Sequence, residues 1–545
     1  MQCEAKVGTM SGARKWREKS QEASRTVGAF FLLSLSALWA GSRNPCFALQ
    51  SPDTVQRIQQ LLEAGDTATA QALLSQALRE SPDRAGLYNL QGVLEAQEGN
   101  FASAEASFRK AIKLAPDLEG AYLNLGRLYQ EHFPKDLAAR DKALGVYAAL
   151  LRFAPNHLEA NYQTAVLLMQ KGLYRTSLDH LARMPAEAQN HSQALSAQCG
   201  DYAGLGQRDK AERAANQMLH SADLAEADVT SILPILTSRK DSSLALVLLQ
   251  GLVARQLASF DSLQSLGLLY KSTGRLAEAR QTLEAAAQLQ PSSVPNLLEL
   301  ARVADEQKDY TGALGYLAHA RELEPNNASV HFFWGMVCIE QDLAEEAYQA
   351  LKKALGLDPH NAYYNYAMGI VTMQRKDASE SILYLKKYCE LKPHDPRGRL
   401  ALGAAYFNSR DDESAEKVLS LVTHDSQTAA MADFYLGRIA NRQGRYPEAI
   451  RLLELALQAR PDFADAYAEL GLIQMKRREY SLAQQALEKA LKLNPDGYSA
   501  NLNLMILYQR TKNPKAEEQA KRFGQVKDEW AKRALEFMRT IEVRP

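Results

Sequence analysis

The chain has 545 residues, with 64 basic and 64 acidic side chains, 46% apolar residues and 23% charged residues. Charges that cancel give no overall pull toward nucleic acid or anionic membrane, and 30 glycines with 19 prolines are too few for a collagen-like or low-complexity chain. Five cysteines cannot build a disulfide scaffold at this length.

The first fifty residues differ from the rest. Residues 1–26 carry Lys6, Arg14, Lys15, Arg17, Lys19 and Arg25, and residues 27–41 hold no charge. Ala48 follows as a small residue at a cleavage position. This order describes a secretory signal, with Met10 as an alternative start, or else an uncleaved N-terminal anchor. Fifteen apolar residues fall short of the about 20 that span a bilayer. The residues before Cys46 (Arg43, Asn44, Pro45) argue against a lipoprotein anchor. Cleavage after Ala48 leaves Cys199, Cys338 and Cys389, expected as small buried apolar side chains.

From residue 51 a period of 34 residues takes over. Gly335, Gly369, Gly403, Gly437 and Gly471 stand 34 apart, with Gly92, Gly126 and Gly267 in the same pattern. Twelve residues on come Ala104, Ala279, Ala347, Ala415, Ala449 and Ala483; prolines such as Pro116, Pro291, Pro359, Pro461 and Pro495 follow twelve later. Only an insertion of about five residues near Glu131–Lys135 interrupts the frame.

Apolar residues fall at helical spacing in two runs per repeat, for example Tyr122, Leu125, Leu128, Tyr129 and then Ala143, Tyr147, Leu150, Leu151. Two helices, A and B, are therefore expected in each repeat. The Gly of A and the Ala of B would lie where the axes cross, the later glycines Gly99, Gly206, Gly274 and Gly444 in the turn between them, and the proline at the end of B. Asp117, Asn326 and Asp496, beside prolines, are expected to serve that turn or cap the next helix.

These markers resemble the tetratricopeptide repeat family: Leu125-Gly126-Tyr129, Ala104-Phe108-Ala111-Pro116, Leu266-Gly267-Tyr270 with Ala279-Leu283-Ala286-Pro291, and Leu470-Gly471 with Ala483-Leu487-Ala490-Pro495. About fourteen such units span nearly all of the chain after residue 50. The resemblance implies an all-α superhelical solenoid of paired antiparallel helices. The expected organisation is 1–50, signal or anchor with linker; 51–259, an N-terminal array degenerate from 158 and weakest at 222–259, where Pro234 falls inside a helix A; 260–531, a C-terminal array; and 532–545, a helix end and tail. The last helix is expected to run through Ala516–Met538 as a polar-faced cap.

In this family helix A lines a concave groove, so the resemblance points to positions two, five, nine, twelve and thirteen of each repeat. In repeats 328–463 these read Phe332, Met336, Ile339, Tyr363, Tyr366, Ile370, Met373, Phe407, Phe434 and Arg438. Aromatic residues and Met suit a surface that buries a partner's side chains. The same spacing suits core residues packed against neighbouring A helices, with only the larger rings reaching the groove. No asparagine ladder and no complete Lys/Asn/Arg clamp is present.

Chemistry-bearing motifs are absent: no phosphate-cradling glycine loop, nucleophile elbow, H-E-x-x-H or C-x-x-C occurs. The ten histidines are scattered, and Lys476-Arg477-Arg478 is a short basic run without neighbouring aromatics. The reading is a non-enzymatic scaffold without cofactor or metal. It would bind protein or peptide partners, not nucleic acid, and touch membrane only through an uncleaved N-terminal segment. Export is expected to the periplasm or cell envelope, or outside the cell, in bacterial envelope assembly or secretion. The alternative is a recognition or regulatory subunit of a separately encoded envelope enzyme, such as a glycan-polymer or glycosyl-transfer machine.

Overall fold

The computed structural model describes residues 53–132 and 137–542; the expected signal or anchor and its cleavage point lie outside them. Every regular element among the described residues is a helix, so the all-α expectation holds. The chain forms two compact units, one ending at Leu266 and one beginning at Gly267.

In the first unit, helix pairs such as Ala85–Gln97 with Phe101–Leu114 and Ser192–Gly204 with Arg208–His220 follow one another in the expected frame. Within residues 226–259 the A helix is split into Glu226–Thr230 and Leu233–Ser238, with Pro234 in the first turn of the second piece. A proline there needs no amide donor and starts a helix instead of breaking one.

The second unit repeats the pair more regularly. Its A helices include Val294–Glu306, Ala328–Glu340, Ala362–Gln374, Pro396–Asn408 and Ala429–Arg442, each followed by its own B helix. The exception is Asp412–Leu419, a B helix that gives way to the short 3-10 turn Ser420–Val422. The final helix, Ala516–Glu542, exposes Lys515, Glu517, Glu518, Lys521, Lys527 and Asp528 around its start, while Phe523 packs on Tyr498 at 5.3 Å.

The crossing-point glycines behave as their spacing implied. A Cβ on Gly335 would meet the Leu351 side chain at 2.6 Å and the Ala347 carbonyl at 3.3 Å; on Gly471 it would meet Leu487 at 2.6 Å and the Ala483 carbonyl at 3.2 Å. All six marker alanines are 0% exposed. Small residues therefore let the helices of a pair touch, and a larger one would cost roughly 1–3 kcal/mol in displaced neighbours.

The A–B turn needs a left-handed residue in nearly every repeat. Gly99, Gly206, Gly274 and Gly444 supply it with φ between 72° and 82°. Elsewhere the same register position is filled by Lys240, Lys308, Asp342, Lys376, Arg410, Arg478 and Lys512, all with positive φ.

Each B helix stops just before its proline. The residue ahead of the ring is pushed into extended backbone, as at Ala115 (φ −137°, ψ 94°) and Asn494 (φ −137°, ψ 92°). The next helix is capped two residues after the proline, by Asn327, Asn361 and Asp395, whose side chains accept backbone N–H bonds. The residue directly beside the proline plays other parts: Asn326 accepts from Lys353 at 3.2 Å, and Asp496 pairs with Arg522 at 2.5 Å.

A latch missed in the sequence closes six of the connections. The fourth residue of a repeat reaches back to the proline carbonyl six residues earlier. Asn161 donates to Pro155 at 2.8 Å, Asn365 to Pro359 at 3.1 Å, Asn501 to Pro495 at 3.0 Å, Tyr122 to Pro116 at 3.0 Å and Arg399 to Pro393 at 2.6 Å. His331 Nε2 lies 2.8 Å from the Pro325 carbonyl. Four side-chain chemistries, those of Asn, Tyr, Arg and His, satisfy the equivalent carbonyl.

Candidate functional site

Three consecutive A helices of the second unit, Val294–Glu306, Ala328–Glu340 and Ala362–Gln374, border a cleft of about 550 Å³. The first contributes Arg302, Asp305 and Glu306, the second Ser329, Phe332, Phe333, Met336 and Glu340, and the third Tyr363 and Tyr364, with its cap Asn361. Most of these are the groove positions of their repeats, which is why one face of each helix converges here.

The floor is aromatic. Phe332 stacks on Tyr364 with ring centroids 4.7 Å apart. Tyr364 is buried, whereas Tyr363 is 54% exposed. Tyr363 begins its helix where the Asn361 side chain accepts its backbone N–H at 3.1 Å, so the capping bond fixes the backbone that carries the exposed ring.

One wall is acidic. Burial raises the Asp305 carboxyl above its ordinary value, and the nearby Glu340 and Glu306 charges push in the same direction. Its Oδ1 is buried with no hydrogen-bond partner. The local cations are already paired: Lys271 lies 3.0 Å from Glu299 and 3.6 Å from Glu306 of the same wall, and Arg302 lies 2.9 Å from Glu299. Among the described residues no group of three or more His, Cys, Asp or Glu side chains is arranged to hold a metal ion.

The ten groove residues expected from the sequence divide into three sets. Phe332, Met336 and Tyr363 line the cleft; Ile339 is half-buried behind it, against the cluster of Cys338, Leu351 and Met368. Tyr366, Ile370 and Met373 pack partly against Leu385, Ala401 and Leu402, and Tyr366 sits 4.9 Å from the Tyr388 ring. Phe407 and Phe434 are each only 8% exposed and belong to a core cluster with Leu419, Leu453 and Phe463. Arg438 covers both, 4.7 Å above Phe407 and 5.6 Å from Phe434, and Arg442 lies 4.3 Å over Phe407. These two rings are core, roofed by guanidinium groups, and offer a partner little surface.

Sequence reasoning passed over Asp305, Glu306 and Glu340. They occupy positions twelve and thirteen of their repeats, inside the groove frame, but Asp305 and Glu306 precede the repeats 328–463 over which the stripe is read, and Glu340 breaks its aromatic and Met pattern.

A second cavity, about 430 Å³, opens beside the short helix Asp412–Leu419. It is lined by Asp433, His424, Arg451, Arg445, Glu416 and Glu448 among others, and its Arg445 is already paired with Glu416 and Glu448. Among the described residues, Cys199 and Cys338 are buried and Cys389 is half-buried.

Tetratricopeptide repeat profiles match residues 56–119 and 400–462, and a second profile of the same family matches 270–332, 306–371 and 440–496. The chain is a tetratricopeptide repeat protein. Its fold is similar to a tetratricopeptide repeat protein from Parabacteroides merdae, at 16% identity over 46% of this chain and 98% of the other, with a TM-score of 0.40. It is similar to PilF of Pseudomonas aeruginosa at 23% identity over 40% and 97%, TM-score 0.35, and to yeast Tom70 at 15% identity over 84% and 96%, TM-score 0.37. No curated protein matches the chain in sequence. In tetratricopeptide repeat terms, the cleft lies on the A-helix face of repeats 294, 328 and 362.

Proposed function

We propose that this tetratricopeptide repeat protein is an exported, non-enzymatic scaffold that captures partner proteins or peptides, with its receptor surface in the cleft between Arg302 and Tyr364, and that it serves assembly or secretion of bacterial envelope components. The observation that carries the binding role is Tyr363, a large ring left 54% exposed on an A-helix face beside a buried carboxyl oxygen that lacks a donor. Exposed aromatic residues beside unsatisfied polar atoms are the usual makings of a binding hot spot. The family's general use in protein–protein interaction supports the same reading. Export rests on the basic stretch before residue 26 and the uncharged residues 27–41.

A photo-crosslinking side chain placed at Tyr363, in the full chain expressed in a bacterial host, tests this. Discrete adducts at Tyr363 and none at Leu383, a control position 63% exposed on a B helix, are expected. Equal labelling at both positions, or recovery of the chain in the cytoplasmic fraction, would overturn the binding and export parts respectively.

A further inference from the structure

The cleft is chemically lopsided, and its asymmetry specifies what fits. Around it stand Asp305, Glu306, Glu340 and Glu299; Lys271 bridges Glu299 and Glu306, and Arg302 is held at Glu299, which leaves Asp305 and Glu340 as the carboxylates with no ion pair among the described residues. Arg302 already lies 5.9 Å over the Phe333 ring and Lys392 5.7 Å over that of Tyr363, so it is the carboxylate charge of the wall, beside the apolar surface of Phe332 and Met336, that favours an incoming cation. The Asp305 Oδ1 is buried and accepts no hydrogen bond from the chain. Such an atom costs free energy until something donates to it.

The visitor's size follows from the same residues. No three acids converge as a metal would require among the described residues. At about 550 Å³ the space is far larger than an ion and falls within the roughly 300–1,000 Å³ typical of ligand pockets. A long aliphatic stem ending in a cation meets both demands. Its methylenes would cover Phe332 and Met336 while its head donates to the acids.

We propose that the cleft receives a lysine or arginine side chain of an extended partner segment, with the cation among Asp305, Glu306 and Glu340 and an adjacent apolar side chain of that segment on Tyr363. This rests on the scaffold reading above and adds the chemistry of the partner. The partner is thus a basic, apolar stretch of polypeptide, selected against acidic segments by the carboxylates it would have to approach.

The full chain is to be titrated by fluorescence anisotropy with a short labelled peptide of central sequence Leu-Lys-Phe, and with versions carrying norleucine or glutamate in place of the lysine. The lysine peptide should bind about tenfold more tightly than the norleucine peptide, the worth of one charge-assisted contact, and the glutamate peptide should not bind. The double variant Asp305→Asn, Glu340→Gln should remove the lysine advantage, so that the lysine and norleucine peptides bind it with equal affinity. Helix content by circular dichroism checks that this variant folds; Glu306→Gln, alone, serves in its place if it does not. Raising the salt should weaken only the lysine peptide.

Equal affinity for the lysine and norleucine peptides would overturn the charge reading while the scaffold reading stands. No binding by any peptide, alongside discrete adducts at Tyr363, would also overturn it, since the partner then has other chemistry. Failure of both experiments sinks both readings. Concentration-dependent self-association abolished by Tyr363→Ala would assign the cleft to a second copy of this chain instead.

Discussion

Two stretches of the second unit, the repeats at 294–374 and those at 396–442, share one frame and comparable aromatic content, yet only the first keeps a ring open. The difference lies at positions nine and thirteen. In the first stretch position nine holds Arg302, 5.9 Å over the Phe333 ring, then Met336 and Ile370, and position thirteen holds Glu306, Glu340 and Gln374, and Tyr363 stays 54% exposed. In the second they hold Arg438 and Arg442, whose guanidinium groups close over Phe407 and Phe434. Arg442 is anchored in turn by Asp412, and Arg438 lies 3.9 Å from Glu469. An aromatic residue at groove spacing therefore becomes receptor or core according to which side chains of its own and the next A helix reach over it.

The sharpest way to break this contrast is a pair of truncations. Phe434→Ala empties a core site shared with Phe463, whose ring lies 4.8 Å away, and should cost about 3–4 kcal/mol in chemical denaturation without changing peptide affinity of the folded fraction. Tyr363→Ala should change stability by less than about 0.5 kcal/mol and abolish capture. Exchanged outcomes would reverse the assignment of the two stretches.

A smaller effect tests the opposite face of the roofed stretch. Burial pushes the Asp433 carboxyl up to about 6, against the pull of Arg451 and His424. An acid whose folded value lies above its unfolded one stabilises most below pH about 4, and that stability is lost as the pH rises through about 6. Unfolding free energy should drop by about 2 kcal/mol across this window. Asp433→Asn should flatten the profile and leave capture at Tyr363 unchanged; an unaltered slope would show that the carboxyl is not the source.

The smallest effect applies equally to both stretches. Lys376→Gly and Arg410→Gly relieve left-handed backbone at φ 63° and 68°, and each should stabilise by about 0.5 kcal/mol, the strain relieved less the entropy of glycine. A loss of stability in thermal melts would mean that the turn tolerates these side chains at no cost.

The repeat frame was legible because its causes are local and recur: a glycine with no room for a Cβ, an alanine under the crossing, a proline that ends a helix. The left-handed turn was legible only where glycine fills it, and Lys308, Asp342 and Lys376 hid the same geometry behind ordinary side chains. The burial of Phe434 was not legible, since it depends on where Arg438 folds over the ring. The acid wall was legible in principle. Asp305 and Glu340 already stood at groove positions, but their desolvation is a property of the assembled helices, visible only in three dimensions.

The reach from the fourth residue of six repeats to the preceding proline bears on how the molecule can be cut. A shortened chain that starts at the first residue of a helix A leaves that donor, Asn365 for instance, without the carbonyl it holds. Starting two or three residues ahead of the proline keeps both ends of the clasp together, so excision points belong upstream of Pro359 or Pro495 and not at the helix that follows.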